Sequence, residues 1–163
     1  MCTIHPVASR EEVRTVTRLA AEIWTEHYTP IIGSSQVQYM LDTLQSFDGI
    51  LKSIEDGTVY WLIKEADVEV GYLSYQEEAS ALFLSKFYLK KETRGKGIGR
   101  KVFSELEKTA QSIGKTAIHL TVNRHNADSI AVYHKMGFHI TGEKAADIGG
   151  GYVMDDYLME KKI

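Results

Sequence analysis

The chain has 163 residues, of which 44% are hydrophobic and 25% charged, and its formal net charge is −3. This length and composition suit one globular domain with a sizeable core, so we expect a single domain over residues 1–163. The acidic balance argues against a general nucleic-acid-binding surface, and the lone cysteine, Cys2, excludes an internal disulfide. The longest apolar runs are far shorter than the roughly 20 residues that a membrane span requires.

The compartment and the metal content follow from the same composition. Residues 1–6 lack the apolar run of a signal peptide, and a single cysteine fits a reducing compartment, so we expect a cytoplasmic protein with no membrane partner. The six histidines do not show a ligand spacing such as H-x-x-x-H, and we therefore expect no metal.

Helical periodicity dominates the first third of the chain. Ser9 is a suitable N-cap, and apolar residues recur at helical spacing to about His27, before Pro30. A second helix is predicted to open at Ser34 or Ser35. Residues 48–56 fit a short third helix.

The pattern then changes to strands. Residues 59–63, 68–75 and 82–89 are rich in β-branched and aromatic residues, and their short connections predict an antiparallel meander. The remaining predicted elements are a helix over 102–113, a strand at 118–122, a helix from Asn126 to about 136, and strands at 138–142 and 152–159. The order ααβββαβαββ predicts an α/β (α+β) domain, with helices flanking a mixed, largely antiparallel sheet.

A glycine-rich basic loop, TRGKGIGRK (93–101), lies between a predicted strand and a predicted helix. Backbone N–H groups at a helix N-terminus lack intrahelical acceptors and attract anions, and glycines allow a phosphate to approach the backbone. The loop fits neither the Walker A spacing nor G-x-G-x-x-G, but it does contain Arg-x-x-Gly-x-Gly at Arg94, Gly97 and Gly99. A solvated strand–helix turn is the alternative interpretation.

A second motif, NRHNADSIAVYHKMGF (123–138), follows the next strand. Asn126, Ile130, Tyr133 and Gly137 are three or four residues apart and share one helical stripe, so Tyr133 lies on a face that begins at a polar residue. A half-buried core tyrosine is the alternative interpretation of Tyr133.

The two motifs together resemble the GCN5-related N-acetyltransferases (the GNAT family) in order and spacing. The resemblance is strong over residues 59–163 and implies an enzyme that uses acetyl-CoA. It implies that the backbone of Phe87, Tyr88 and Leu89 contacts the pantetheine arm, that Asn126 also contacts this arm, and that Tyr133 protonates the leaving thiolate. It further implies a pyrophosphate cradle, which would be formed by Arg94, Gly95, Lys96, Gly97, Ile98, Gly99 and Arg100.

The acceptor implied by the resemblance is a small-molecule amine. Trp24, Glu26, His27 and Tyr28 combine aromatic rings with an acid, which suits a cationic amine, and their segment looks similar to the polyamine acetyltransferases. A peptide or protein amine, and a non-catalytic acyl-CoA-binding module on the same fold, stay open as alternatives. Dimers are common in this family, so a homodimer is one expected assembly.

The general base is left open by the sequence. Many relatives carry a glutamate on the strand before the glycine loop, where this chain has Ser85. Neighbouring residues of a strand face opposite sides, so at most one residue of the pair Asp155 and Asp156 enters the site. The candidates are Glu26, His27, Tyr28, Glu77, Glu78, Asp155 and Asp156.

Overall fold

The computed structural model describes residues 2–163, which form one seven-stranded sheet and five α-helices. In chain order the elements are β1 (Cys2–Pro6), α1 (Arg10–Ile32), α2 (Ser34–Thr43), α3 (Phe47–Glu55), β2 (Val59–Glu65), β3 (Val68–Glu77), β4 (Ala81–Leu89), α4 (Ile98–Ser112), β5 (Ala117–Asn123), α5 (Ala127–Lys135), β6 (His139–Gly149) and β7 (Tyr152–Lys162). A 3-10 turn, Lys91–Thr93, lies between β4 and α4.

The sheet has the strand order β1-β2-β3-β4-β5-β7-β6. The meander predicted for β2, β3 and β4 is confirmed, because each of these strands pairs antiparallel with the next. Only the β4–β5 pair is parallel among residues 2–163. The fold class predicted from the sequence is therefore correct.

Two elements extend the predicted order. The short edge strand β1 pairs antiparallel with β2, and the segment assigned as a short third helix is α3. Ser9 caps α1 as predicted, since its side chain accepts a hydrogen bond from the N–H of Glu12. The helix runs beyond His27 to Ile32, because Pro30 lies in its last turn, where the missing N–H of proline removes only one hydrogen bond back to the preceding turn.

The sheet separates two hydrophobic cores. One core packs the apolar face of α4 against one side of the sheet, and the other packs α1, α2 and α3 against the opposite side. Alternate residues of β2 divide between them: Trp61 and Ile63 join the α4 core, while Tyr60 and Leu62 join the α1 core. A strand that is buried on both faces has apolar residues at consecutive positions, which explains the apolar composition of β2.

Within residues 2–163, none of the helices has both the length and the apolar character needed to cross a membrane.

Candidate active site

Strands β4 and β5 diverge in the middle of the sheet. Their parallel register runs from Ala81 opposite Ala117 to Leu84 opposite Leu120, and the described residues form no pair between the two strands beyond it. Each strand stays paired on its other side, β4 with β3 and β5 with β7. The divergence opens a wedge-shaped gap along the carboxyl half of β4.

A β-bulge marks the point where the strands separate. The β3–β4 register shifts there, so that Ser74 lies opposite Lys86 and Tyr75 opposite Leu84. Ser85 is therefore the extra residue of β4, and such a residue bends the strand that carries it. The bend turns the rest of β4 away from β5.

The backbone of β4 offers hydrogen-bonding groups to the gap. The N–H of Lys90 donates to the carbonyl of Val70, 2.8 Å away, and thus points toward β3. Because backbone groups alternate along a strand, those of Phe87 and Leu89 point away from β3 and into the gap. The carbonyl of Leu89 accepts hydrogen bonds from Nε and Nη2 of Arg94 at 3.1 and 3.0 Å.

The start of α4 is an uncapped helix N-terminus at the open end of this gap. Among the described residues, no side chain caps this N-terminus. The first helical hydrogen bond is donated by the N–H of Lys101 to the carbonyl of Gly97. The N–H groups of residues 98–100 therefore lack helical acceptors. Gly97 has a φ of +81°, a left-handed conformation that glycine adopts without a steric penalty. These features fit a bound pyrophosphate.

Charged side chains surround this helix start. Arg94, Lys96 and Arg100 are exposed, whereas the side chain of Ile98 is buried in the α4 core, so this residue offers only its backbone. Lys101 instead donates from Nζ to the carbonyl of Cys2 at 2.6 Å. Lys96 and Arg100 are thus available to an anion at the helix start, and Arg94, whose Nε and Nη2 donate to the carbonyl of Leu89, adds its charge beside them.

Two adjoining cavities occupy the gap and the face of the sheet beside α1. The first is lined by Tyr28, Leu84, Ser85, Lys86, Phe87, Tyr88, Leu120, Thr121, Val122, Asn126, Ser129 and Tyr133. The second contains about 600 Å³ of empty space including its mouth, and it is lined by Trp24, Tyr28, Ile32, Gln36, Met40, Leu44, Ser85, Lys86, Tyr88, Thr121, Val122, Asn123, Met154 and Asp156. We call them the gap cavity and the helix-side cavity. Six residues line both, so the cavities share a wall.

The shared wall is rich in tyrosine. The hydroxyl groups of Tyr28 and Tyr88 lie 3.1 Å apart, and the rings of Trp24 and Tyr88 meet edge to face at 5.4 Å. Burial raises the pKa of both Tyr28 and Tyr88, so the two phenols stay protonated at neutral pH.

Helix α5 brings Asn126 and Tyr133 to the gap cavity. Asn126 is buried and caps the helix, its Oδ1 accepting a hydrogen bond from the N–H of Ser129. Two turns later the ring of Tyr133 packs against Phe103 and Phe138, with centroids 6.0 and 5.7 Å away. Burial raises the pKa of Tyr133 as well, which keeps its hydroxyl available as a donor.

Two charged residues line the helix-side cavity. Lys86 lies within hydrogen-bond distance of Ser85 Oγ, at 3.1 Å, and burial lowers its pKa to about 8. Asp156 is 5% exposed, and burial, reinforced by the neighbouring Asp155 carboxylate, raises its pKa to about 6. The cation and the anion of this cavity thus come from different strands, β4 and β7.

Of the four residues predicted to bind the acceptor, two line the helix-side cavity and two do not. Trp24 and Tyr28 are four residues apart on one face of α1 and line the helix-side cavity. His27 is half-buried, and burial together with the charge of Arg94 lowers its pKa. Glu26 is exposed and lines neither cavity, because two residues of a helix rotate it about 200° away from both aromatic side chains.

Three of the other candidate bases form ion pairs outside the two cavities. Their carboxylates contact Lys115, His119 and Arg124: the pairs are Glu77–Lys115 at 3.7 Å, Glu78–His119 at 3.1 Å and Asp155–Arg124 at 2.9 Å. Of the aspartate pair on β7, only Asp156 lines a cavity. Across residues 2–163, no group of three or more His, Cys, Asp or Glu side chains could hold a metal ion.

Among the charged residues that line the two cavities, the sequence did not indicate Lys86. Lys86 lies two residues before Tyr88, so the alternation of side chains along a strand places both on the same face of β4. This alternation was the one feature of the sequence that could have indicated Lys86. Nothing local indicated that this half of the strand borders a cavity.

Comparison with known proteins decides the family. Residues 17–138 match the family model described as Acetyltransferase (GNAT) family, which is more than half of the chain. The chain belongs to the GNAT acetyltransferase family. It is therefore an N-acetyltransferase, and acetyl-CoA is its acetyl donor.

Solved structures share this acetyltransferase fold. The PaiA N-acetyltransferase of Thermoplasma acidophilum, in complex with coenzyme A, matches with a TM-score of 0.84 and 24% identity, over 100% of this chain and 99% of that chain. An acetyltransferase of Thermus thermophilus matches at 0.76 with 20% identity, over 100% and 97%. The ribosomal-protein-S18-alanine N-acetyltransferase of Escherichia coli matches at 0.74 with 15% identity, over 100% and 94%. At these identities the likeness concerns the fold.

Proposed function

We propose that this acetyltransferase acetylates the primary amine of a small cationic molecule, and that a polyamine is the first acceptor to test. The observation that carries the proposal is the helix-side cavity, which adjoins the gap cavity and combines aromatic walls with the carboxylate of Asp156. Aromatic faces and a buried carboxylate both favour an ammonium group. Trp24, Tyr28 and Tyr88 supply the aromatic surface.

Acetyl-CoA is assigned to the gap and to the start of α4. When bound, it supplies an acetyl group activated as a thioester. The backbone groups of Phe87 and the N–H of Leu89 hold its extended arm, and the free N–H groups of residues 98–100 hold its pyrophosphate. Arg94, Lys96 and Arg100 add positive charge around the phosphates.

Tyr133 is assigned as the general acid. Its side chain lines the gap cavity, beside the β4 backbone that would hold the arm. A phenol whose pKa is raised by burial remains a proton donor throughout the physiological range. Asn126 caps the helix that carries Tyr133 and lines the same cavity, so it fixes the position of that helix and contacts the arm.

The charge of Lys86 bears on the choice of acceptor. Its ammonium group lies on the wall between the two cavities and opposes a polycation, whereas Asp156 attracts one. Monoamines and amino acids therefore belong in the same test as polyamines. The single cysteine supports a cytoplasmic setting for these acceptors.

The test is release of the coenzyme A thiol from acetyl-CoA, with the acetylated product identified by mass. The panel contains putrescine, spermidine, spermine, propylamine, amino acids and short peptides. Turnover that is fastest with the polyamines supports the proposal, and turnover with peptides alone would assign a peptide N-acetyltransferase instead. Tight acetyl-CoA binding without turnover of any amine would favour a non-catalytic acyl-CoA-binding protein.

A further inference from the structure

The carboxylate of Asp156 is buried beside the shared wall without the partners that a buried carboxylate normally has. The residue is 5% exposed, and its Oδ1 has no hydrogen-bond partner within residues 2–163. It lines the helix-side cavity together with Tyr28 and Lys86. Burying a charge without a partner is costly, so such a group in a cavity points to a ligand that completes it.

We propose that Asp156 is the general base of this enzyme, which accepts a proton from the acceptor's ammonium group before acetyl transfer. The proposal rests on the proposed function, because it requires an amine in the helix-side cavity. The step is balanced: one N–H bond of the ammonium breaks, its proton forms an O–H bond with the carboxylate, and the electron pair remains on nitrogen. The products are a neutral carboxylic acid and an amine that can attack a thioester.

This step is needed because an alkylamine acceptor is almost entirely protonated at neutral pH, and a protonated amine cannot attack a thioester. An unperturbed alkylamine has a pKa of about 10.4, so only about one molecule in 2,500 is neutral at pH 7. Ser85, at the position where many relatives carry a glutamate, lines both cavities but offers only a hydroxyl group. Asp156 supplies a carboxylate to the same cavity from β7, on the far side of β5.

Several charged and titratable groups face Asp156. Lys144 lies opposite it on β6, Asp155 precedes it on β7, and Lys86, Tyr88 and Tyr28 line the same cavity from β4 and α1. Lys144 lowers the pKa of Asp156, but burial and Asp155 outweigh it and hold the pKa at about 6. At pH 7 the carboxylate is thus ionised, and it is a stronger base than an exposed aspartate.

The first experiment compares Asp156→Asn with Asp155→Asn, its neighbour on the opposite face of β7. The kcat/KM of the best amine in the panel is measured from pH 5 to pH 10. We expect the wild type to lose activity below about pH 6. At pH 7 Asp156→Asn should fall by about a hundredfold or more and recover as pH approaches the pKa of the amine. Asp155→Asn should keep the wild-type kcat/KM at pH 7 and above, and its acid limb should move only to lower pH, because the Asp155 carboxylate helps to raise the pKa of Asp156.

A variant that misfolds would not decide the matter, so two checks accompany it. Acetyl-CoA binding by calorimetry should be unchanged in Asp156→Asn, because the residue lies outside the loop and the gap cavity. Asp156→Glu, which keeps a carboxylate, should retain an acid limb in its pH profile at a reduced rate. If Asp156→Asn raises KM alone and keeps the acid limb, Asp156 only anchors the acceptor and the base assignment is wrong.

A second readout is independent of turnover. In protein labelled with ¹³C at the aspartate carboxyl groups, one resonance should titrate near pH 6 and disappear only in Asp156→Asn. Spermidine, used as the probe, should lower that midpoint, because an ammonium group stabilises the carboxylate. A midpoint that spermidine leaves unchanged would overturn the inference. Failure of every amine in the turnover panel would instead overturn the proposed function.

Discussion

The hydroxyl of Tyr28 on α1 lies 3.1 Å from the hydroxyl of Tyr88 on β4, and this hydrogen bond joins the helical layer to the diverging strand. Both residues line both cavities, so the bond lies in the wall that the cavities share. The ring of Trp24 packs against both tyrosines, at 5.6 and 5.4 Å between centroids. The geometry of the helix-side cavity therefore depends on how firmly α1 is held against β4.

Tyr28→Phe should loosen this junction. The hydroxyl of Tyr88 loses its partner in a buried setting, which costs about 1 kcal/mol of the free energy of unfolding. We also expect the KM of the acceptor to rise severalfold, since α1 forms one wall of its cavity. Urea unfolding and steady-state kinetics measure the two effects. Tyr60→Phe is the control: it removes a buried hydrogen bond to Gln45 away from both cavities, so it should reduce stability without changing KM.

Tyr133→Phe should separate catalysis from binding. If Tyr133 donates the proton to the leaving thiolate, kcat falls by about a hundredfold or more, while the dissociation constant of acetyl-CoA is unchanged. Because burial raises the pKa of Tyr133, the wild type should show no basic limb from this residue below about pH 10. Tyr157→Phe, on the half-buried face of β7 and outside both cavities, should keep full turnover. Equal kcat values for the wild type and Tyr133→Phe would remove Tyr133 from the acid role.

Gly97→Ala tests the phosphate cradle against a closely matched control. Gly97 and Gly114 have φ values of +81° and +80°, and a Cβ added at either would meet no atom within 4 Å. Alanine should therefore destabilise the protein by about 1 kcal/mol at both positions, through backbone strain alone. Only Gly97 lies at the start of α4. We expect calorimetry to show at least tenfold weaker acetyl-CoA binding for Gly97→Ala, whereas binding by Gly114→Ala should equal that of the wild type.

Lys86→Met tests how much the desolvated ammonium group of Lys86 lowers the free energy of unfolding, and how this effect depends on pH. Burial lowers the folded-state pKa of Lys86 from 10.5 to about 8, so the unfolded chain binds more protons between these values. The stability lost by burying the charged ammonium group is greatest below pH 8, and it decreases toward zero as the pH rises to 10.5. At pH 7 the free energy of unfolding of Lys86→Met should thus be higher than that of the wild type by as much as about 3 kcal/mol. At pH 10 this difference should be smaller.

The control for this prediction is Lys52→Met, which replaces an exposed lysine on α3. Urea unfolding of all three proteins at pH 7 and pH 10 gives the comparison, because the titration of other groups is common to them. A stability difference between Lys86→Met and the wild type that is the same at both pH values would show that Lys86 is not desolvated.

The local features of this protein were predictable from its sequence. Ser9 was expected to begin a helix and caps α1. The short connection expected between β2 and β3 is a turn at Ala66 and Asp67, with positive φ at both residues. The glycine loop and the Asn126 motif were identified from the spacing of their residues. Caps, turns and helical stripes depend on neighbours within a few residues, and the sequence displays such neighbours directly.

The tertiary structure alone decided which side chains meet at the site. The divergence of β4 from β5 depends on a bulge at Ser85 and on pairing with strands far away in the chain, so no local pattern contains it. It also placed Asp156 in the lining of the helix-side cavity and Asp155 beside Arg124, and it placed Lys86 in the lining of both cavities. Alternation predicts that two neighbours face opposite ways, but long-range pairing and packing decide which of them faces the cavity. Of the two aspartates, that choice left Asp156 as the buried carboxylate beside the aromatic wall.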